Sequence, residues 1–151
     1  MGNLKYRRIT DILLKHWETL KGSKALPFER DIDSEVLKEV WDCCFLLQVR
    51  DMIEHDSYNY TFLGDAIREA YTGRMLQEDD ASPLIQPVAS KLHRHFQQVV
   101  ETKEPLIHQG NFTNAEGNLV KYRQCLLPFA HEGESVDAIL GGMRFRVFKP
   151  E

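Results

Sequence analysis

Six histidines are the side chains in this sequence best suited to hold a metal ion or a haem. His93 and His95 lie two residues apart in a segment with helical periodicity, which separates them by about 200° around the helix axis. They cannot bind one ion from one helix face, although His95 lies beside the apolar stripe and could point at an interior pocket. The others are scattered without the spacing of a ligand set: His16, His55, His108 and His131. We therefore predict no metal site, and the histidines leave the identity of any cofactor open.

The cysteines and carboxylates favour no catalytic centre either. The three cysteines, Cys43, Cys44 and Cys125, show no Cys-x-x-Cys spacing. We expect them to be buried, reduced thiols of a cytoplasmic protein. The acidic run over 78–80 is typical of a solvated loop, since nothing beside it in the sequence suggests desolvation. The chain has no Gly-x-Ser-x-Gly elbow and no glycine-rich phosphate loop with its lysine. We predict no catalytic residues and expect that the protein is not an enzyme.

Length and charge narrow the class of protein further. The 151 residues are 42% hydrophobic and carry a net charge of −4, which predicts one globular domain with a substantial core. No apolar run approaches the roughly 18 residues of a membrane span, and the N-terminus is too polar for a signal peptide. We expect a cytoplasmic protein without a membrane partner. Residues 1–24 carry six basic and two acidic side chains, but without interleaved aromatics we do not expect a nucleic-acid partner. A DNA-associated regulator that uses this basic segment remains an alternative.

The apolar spacing predicts a long and a short helix, two strands, two more helices and three strands, in that order. The helices are expected over 4–21, 34–41, 65–71 and 84–101, and the strands over 43–49, 58–63, 106–113, 119–128 and 136–148. Hairpin turns are expected at 114–117 and 131–134. This order predicts an α+β fold: a five-stranded antiparallel sheet with helices on one face and an extra N-terminal helix. We therefore divide the chain into an N-terminal helical segment over 1–24 and a globular domain over 25–151.

Several segments in this order resemble the PAS domain family, in its alphaproteobacterial-type single-domain form. They are LLKHWETLKGSKALPFERDID, CCFLLQV, YNYTFLGDAI, YTGRML and LLPFAHEGESVDAILGGM. The resemblance implies a PAS core from Trp41 to Phe148 with a sensory or regulatory role in signal transduction. Such a domain would act through contacts with a partner protein and without an output domain of its own. Ser34 and Asp65 stand where the subfamily usually has Pro and Thr, which puts local ligand contacts there in doubt.

The resemblance names no ligand, because PAS domains bind haem, flavins, small metabolites or nothing. No cysteine lies between Cys44 and Cys125, which argues against a flavin photosensor with a reactive thiol. The main alternative is a cone-shaped α+β enzyme or ligand binder of the NTF2-like kind. That fold places its helices before its strands and has a polar catalytic pair in its cavity, whereas here a long helix divides two strands from three.

An apolar small-molecule pocket is expected between the sheet and the long helix. The alternation of Tyr58, Tyr60 and Phe62 predicts that these aromatic side chains share one face of a strand. The candidate lining is Phe45, Tyr60, Phe62, Leu92, Phe96 and Met143. Tyr60, Arg123 and Gln124 could supply the few polar groups that such a pocket needs.

The first helix carries a stripe of large apolar residues at spacings of three and four: Tyr6, Ile9, Leu13, Trp17 and Leu20. Left in water, this stripe would be an apolar patch that soluble monomers rarely tolerate. Either the outer face of its own sheet or the same helix of a second subunit can cover it. We predict that the helix contributes to a homodimer, with the stripe as the candidate interface.

Overall fold

The computed structural model describes residues 8–49, 59–72 and 93–149 of the chain. Its helices are α1 (Ile9–Lys21), α2 (Asp65–Thr72) and α3 (His93–Thr102). Its strands are β1 (Cys44–Gln48), β2 (Asn59–Leu63), β3 (Leu106–Thr113), β4 (Leu119–Phe129) and β5 (Ala138–Phe148). The predicted α+β class is confirmed, and so is the order of its elements apart from one short helix. The first part of the predicted long helix, over 84–92, lies outside the described residues, and none of the described helices is long and apolar enough to cross a membrane.

The predicted helix over 34–41 is wrong. Residues 34–40 form turns, and a short 3-10 helix follows over Trp41–Cys43. The turn begins where the carboxylate of Asp33 accepts a hydrogen bond from the backbone N–H of Glu35. The backbone N–H of Val40 then bonds to the carbonyl of Leu37, three residues back. A segment this short gains little from helix propagation, so tighter local bonds prevail.

All five strands form one antiparallel sheet in the order β2-β1-β5-β4-β3. The first and last strands of the chain are therefore neighbours in the middle of the sheet. The first six residues of β5 are buried, as expected for a central strand covered on both faces. At the β3–β4 hairpin, the Asn114 side chain accepts hydrogen bonds from the backbone N–H groups of Glu116 and Asn118, and Gly117 has φ +83°. This confirms the turn predicted at 114–117.

Strand alternation divides the sheet into two faces. We call the face toward α3 the inner face, since Phe45 on it contacts Phe96 of α3. We call the face toward α1 the outer face, since a side chain added at Gly142 would meet Leu13 and Ile9. Directly paired residues share a face, so Gly141 opposite Phe45 lies on the inner face.

Helix α1 packs on the outer face of its own sheet. Ile9, Leu13 and Trp17 are buried there, and the indole N–H of Trp17 donates a 2.7 Å hydrogen bond to the carbonyl of Pro128. Leu20 is half-buried against the same core, and Tyr6 lies outside the described residues. Of the two surfaces that could cover the stripe, the structure uses the chain's own sheet. The buried part of the stripe contacts the sheet in this arrangement, and the homodimer with the stripe as its interface stays a prediction.

A bulge in β2 changes the predicted aromatic face. Leu46 pairs with Phe62 while its neighbour Leu47 pairs with Tyr60, which leaves Thr61 without a partner in the register. A bulge of one residue reverses the side to which the following side chains point. Tyr60 lies on the inner face, whereas Phe62 lies with Leu46 and stacks on Trp41 at 4.5 Å between ring centroids. The prediction that Tyr60 and Phe62 share one face is wrong for this reason, and Tyr58 lies outside the described residues.

Candidate functional site

Three aromatic rings form the apolar part of the inner face. Phe45 from β1 contacts the edge of Tyr60 at 5.6 Å and of Phe96 at 6.3 Å between ring centroids. Both pairs are T-shaped, the arrangement that aligns the positive edge of one ring with the negative face of another. Phe45 can lie flat on the sheet because Gly141 opposite it has no side chain; an added Cβ there would overlap the ring. The sequence thus builds an aromatic wall from two strands and one helix.

A polar row crosses the same face beside this wall. His108 of β3 pairs with Gln124 of β4, and Gln124 pairs with Met143 of β5, so the three residues lie side by side. Gln124 and Met143 are almost fully buried. The Gln124 amide nitrogen lies 3.5 Å from Nε2 of His108, while its amide oxygen has no hydrogen-bond partner among the described residues. A buried amide oxygen without a donor is costly, which makes this row the most distinctive feature of the inner face.

The histidines at this row are an interacting pair. The rings of His95 from α3 and His108 lie 4.1 Å apart between centroids, and Tyr122 lies 5.6 Å from His108. Desolvation lowers the pKa of His108 below its usual value, and repulsion from His95 lowers it further. Burial likewise raises the pKa of Tyr122, so its hydroxyl stays protonated. At neutral pH the His108 ring and the Tyr122 hydroxyl are therefore hydrogen-bonding groups rather than charges.

The structure brings together four of the six predicted pocket residues. Phe45, Tyr60, Phe96 and Met143 line the inner face, and the predicted polar residue Gln124 lies among them. Leu92 lies outside the described residues, and Phe62 is displaced by the bulge. Arg123 does not join them, because its partner across the sheet is Arg144, which places it on the outer face.

Sequence reasoning missed the role of His108. Its place beside Gln124 follows from the pairing set by the turn at 114–117, and that turn was recognisable in the sequence. The contact with His95, in contrast, depends on how α3 packs against β3. No local sequence pattern predicts how this helix packs against the strand.

The inner face carries residue types that are common in binding sites. It combines an aromatic wall with a buried amide and the neutral imidazole of His108, groups that line small-molecule pockets. No group of three or more His, Cys, Asp or Glu side chains is close enough to hold a metal ion in the part of the chain that the structure describes.

The thiols lie away from this row. Cys44 and Cys125 are buried, both paired with Gly142 on the outer face. Burial raises the pKa of Cys125 to about 12 and also that of Cys44, so both stay protonated and unreactive.

Comparison with known proteins identifies one family to which the chain is similar. A sequence model described as a PAS domain matches residues 7–144, a range that includes α1 and reaches into β5. No curated protein matches the chain.

Proposed function

Because the chain belongs to the PAS domain family, we propose that it is a non-enzymatic sensory or regulatory domain that acts in signal transduction through contacts with a partner protein. The observation that supports a sensory role best is the inner face, where the buried amide of Gln124 lies beside an aromatic wall. The ligand of such a site is a small apolar molecule with one hydrogen-bond donor. Its apolar body packs on Phe45, Tyr60 and Phe96, and its donor reaches the amide oxygen of Gln124, which accepts no hydrogen bond from the described residues.

Burial of the Gln124 amide favours an occupied site. An unsatisfied buried amide oxygen costs about 1–3 kcal/mol, and a ligand donor would recover that cost while its apolar part leaves water. The neighbouring imidazole of His108 can act as donor or acceptor in its neutral form. The site therefore distinguishes ligands by their polar group, and the aromatic wall contributes most of the contact area.

Native mass spectrometry of the purified full chain tests this proposal. We expect a retained small molecule, seen as added mass that disappears on denaturation. The variant Gln124→Met keeps the volume and removes the amide, so it should lose the ligand and remain folded. Thr61→Val is the matched control, because it alters an exposed polar side chain at the edge strand β2. A ligand that Gln124→Met retains as well as the natural protein does would contradict this site.

We also propose three properties that the sequence predicts: membership of the alphaproteobacterial-type subfamily, a cytoplasmic location and a homodimer. Light scattering on the intact protein at high micromolar concentration tests the dimer, and a monomer there would refute it. Because α1 covers the outer face, deletion of residues 1–22 should expose buried sheet and cause aggregation rather than release a soluble monomer.

The NTF2-like alternative lacks support. The sheet order β2-β1-β5-β4-β3 and the family match both favour the PAS fold.

A further inference from the structure

Four cationic side chains lie together on the outer face, on the part of it that α1 leaves exposed. Arg123 of β4 pairs with Arg144 of β5, and two residues further along Lys121 pairs with Arg146. Lys121, Arg144 and Arg146 are exposed, and Arg123 is half-buried. Neighbouring strands are about 5 Å apart and alternate residues about 7 Å apart, so the four side chains start from the corners of a small rectangle.

These residues line a shallow hollow that is largely open to solvent. Its volume is about 380 Å³, and its lining also includes Gln109 of the neighbouring strand β3, Tyr122 and Phe145. This volume lies within the range of small-molecule sites, about 300–1,000 Å³. We call it the cation hollow, defined by Lys121, Arg123, Arg144 and Arg146.

The positive charge of the cation hollow is not neutralised within the described part of the chain. None of its four cations forms an ion pair with a described carboxylate. Lys121 instead lies 5.3 Å from the ring centroid of Phe148, which is 44% exposed at the edge of the hollow. The Nε atom of Arg123 is buried and has no acceptor among the described residues. Arg144 and Arg146 are exposed, so their guanidinium groups are the ones open to an anion in the hollow.

Helix α1 directs its positive end toward the same region. Its early residues Ile9 and Leu13 lie over Gly142, while Trp17 further along bonds to Pro128. Since Gly142 is two residues from Arg144 on β5, the N-terminus of α1 lies on the side of the cation hollow. The N-cap residue Arg8 makes no side-chain capping bond. The partial positive charge of this helix end therefore adds to that of the side chains.

We propose that the cation hollow binds a small phosphate-bearing molecule. Three guanidinium groups can each present a planar pair of N–H donors to phosphate oxygens, and Lys121 adds a point charge. Phe148 offers an exposed ring on which an attached organic group can pack. This site lies across the sheet from the inner face, so it is a second site and does not depend on the proposed apolar ligand.

The charge of the whole chain favours a small ligand over a nucleic acid or a membrane. The net charge is −4, so the chain without the four cations of the hollow carries −8. An extended polyanion also interacts with the chain outside the hollow, where the net charge is −8, whereas a small molecule is bound by the local field only. An acidic peptide is the remaining competitor, and the experiment below separates it.

Titration of the ¹⁵N-labelled full chain with sodium tripolyphosphate at constant ionic strength tests the proposal. We expect saturable amide shifts that centre on Lys121, Arg123, Arg144 and Arg146. The double variant Arg144→Gln/Arg146→Gln should weaken binding by at least about tenfold, since it removes two charge-assisted contacts. The matched control is Lys38→Gln/Arg94→Gln, which removes the same charge at two exposed sites elsewhere. It should change the affinity by less than about twofold.

Three results would overturn the proposal. One is equal loss of affinity in the two double variants, which would mean general attraction by net charge. Another is the absence of saturable shifts at the hollow. The third is tighter binding of an octaglutamate peptide than of tripolyphosphate to the same amides, which would assign the surface to an acidic protein. If the double variant does not fold, Arg146→Gln alone replaces it, and its affinity should fall by at least about threefold.

Discussion

Replacement of Phe96 by alanine should lower the free energy of unfolding by about 4 kcal/mol. Phe96 is 1% exposed, and its ring contacts that of Phe45 between α3 and the sheet. Loss of the buried ring removes about 1.5–3 kcal/mol of transfer free energy. The aromatic pair adds about 0.5–1.5 kcal/mol, and the cavity left between helix and sheet adds the rest. The sum agrees with the range of about 3–5 kcal/mol known for large core truncations.

Urea unfolding followed by far-UV circular dichroism and tryptophan fluorescence measures this loss. With a denaturant slope of about 2 kcal/mol/M, the midpoint should fall by about 2 M. Phe148→Ala is the matched control, because the same truncation at a side chain that is 44% exposed should cost less than about 1 kcal/mol.

A loss below about 1 kcal/mol for Phe96→Ala would refute the packing of α3 on the inner face. Because Phe96 also belongs to the proposed aromatic wall, the variant should lose a bound small molecule together with this stability.

Three further changes test other contacts. Gly141→Ala should cost more than about 2 kcal/mol in thermal unfolding, because the new methyl group overlaps the ring of Phe45. Its control Gly133→Ala meets no neighbour within 4 Å and should be nearly neutral. Trp17→Phe should cost about 1–3 kcal/mol in urea unfolding, because it leaves a buried carbonyl of β4 without its 2.7 Å donor. Because the pKa of His108 is lowered in the folded protein, the unfolded chain binds more protons near pH 6. The stability that neutral His108 contributes is therefore present at higher pH and is lost as the pH falls below about 6.5. His108→Gln should flatten the difference in unfolding free energy between about pH 7.5 and about pH 5.5; an unchanged difference would contradict the assignment.

Local patterns in the sequence determined most of the elements. The apolar spacing of three and four in α1 and the alternation in the β strands depend only on which neighbouring residues share a face, which the backbone geometry of each element dictates. The turn at Asn114–Gly117 was predictable for the same reason, since the capping side chain and the glycine act within a few residues. The helix expected over 34–41 failed because short segments have little helical preference of their own.

The sequence could not determine what depends on partners from distant segments. The bulge at Thr61 arises from the pairing of β2 with β1, and it alone separates Phe62 from Tyr60. Likewise, the stripe of α1 was compatible with two covering surfaces, and only the packed structure shows that its own sheet covers it.

The two candidate sites have the same origin. The row of His108 and Gln124 and the cation hollow combine residues of different strands, whose side chains meet only through the register of the sheet. Periodicity assigns each residue to a face of its own element. Which residues become neighbours across the sheet is decided by long-range pairing and packing, and the chemistry of both sites depends on those neighbours.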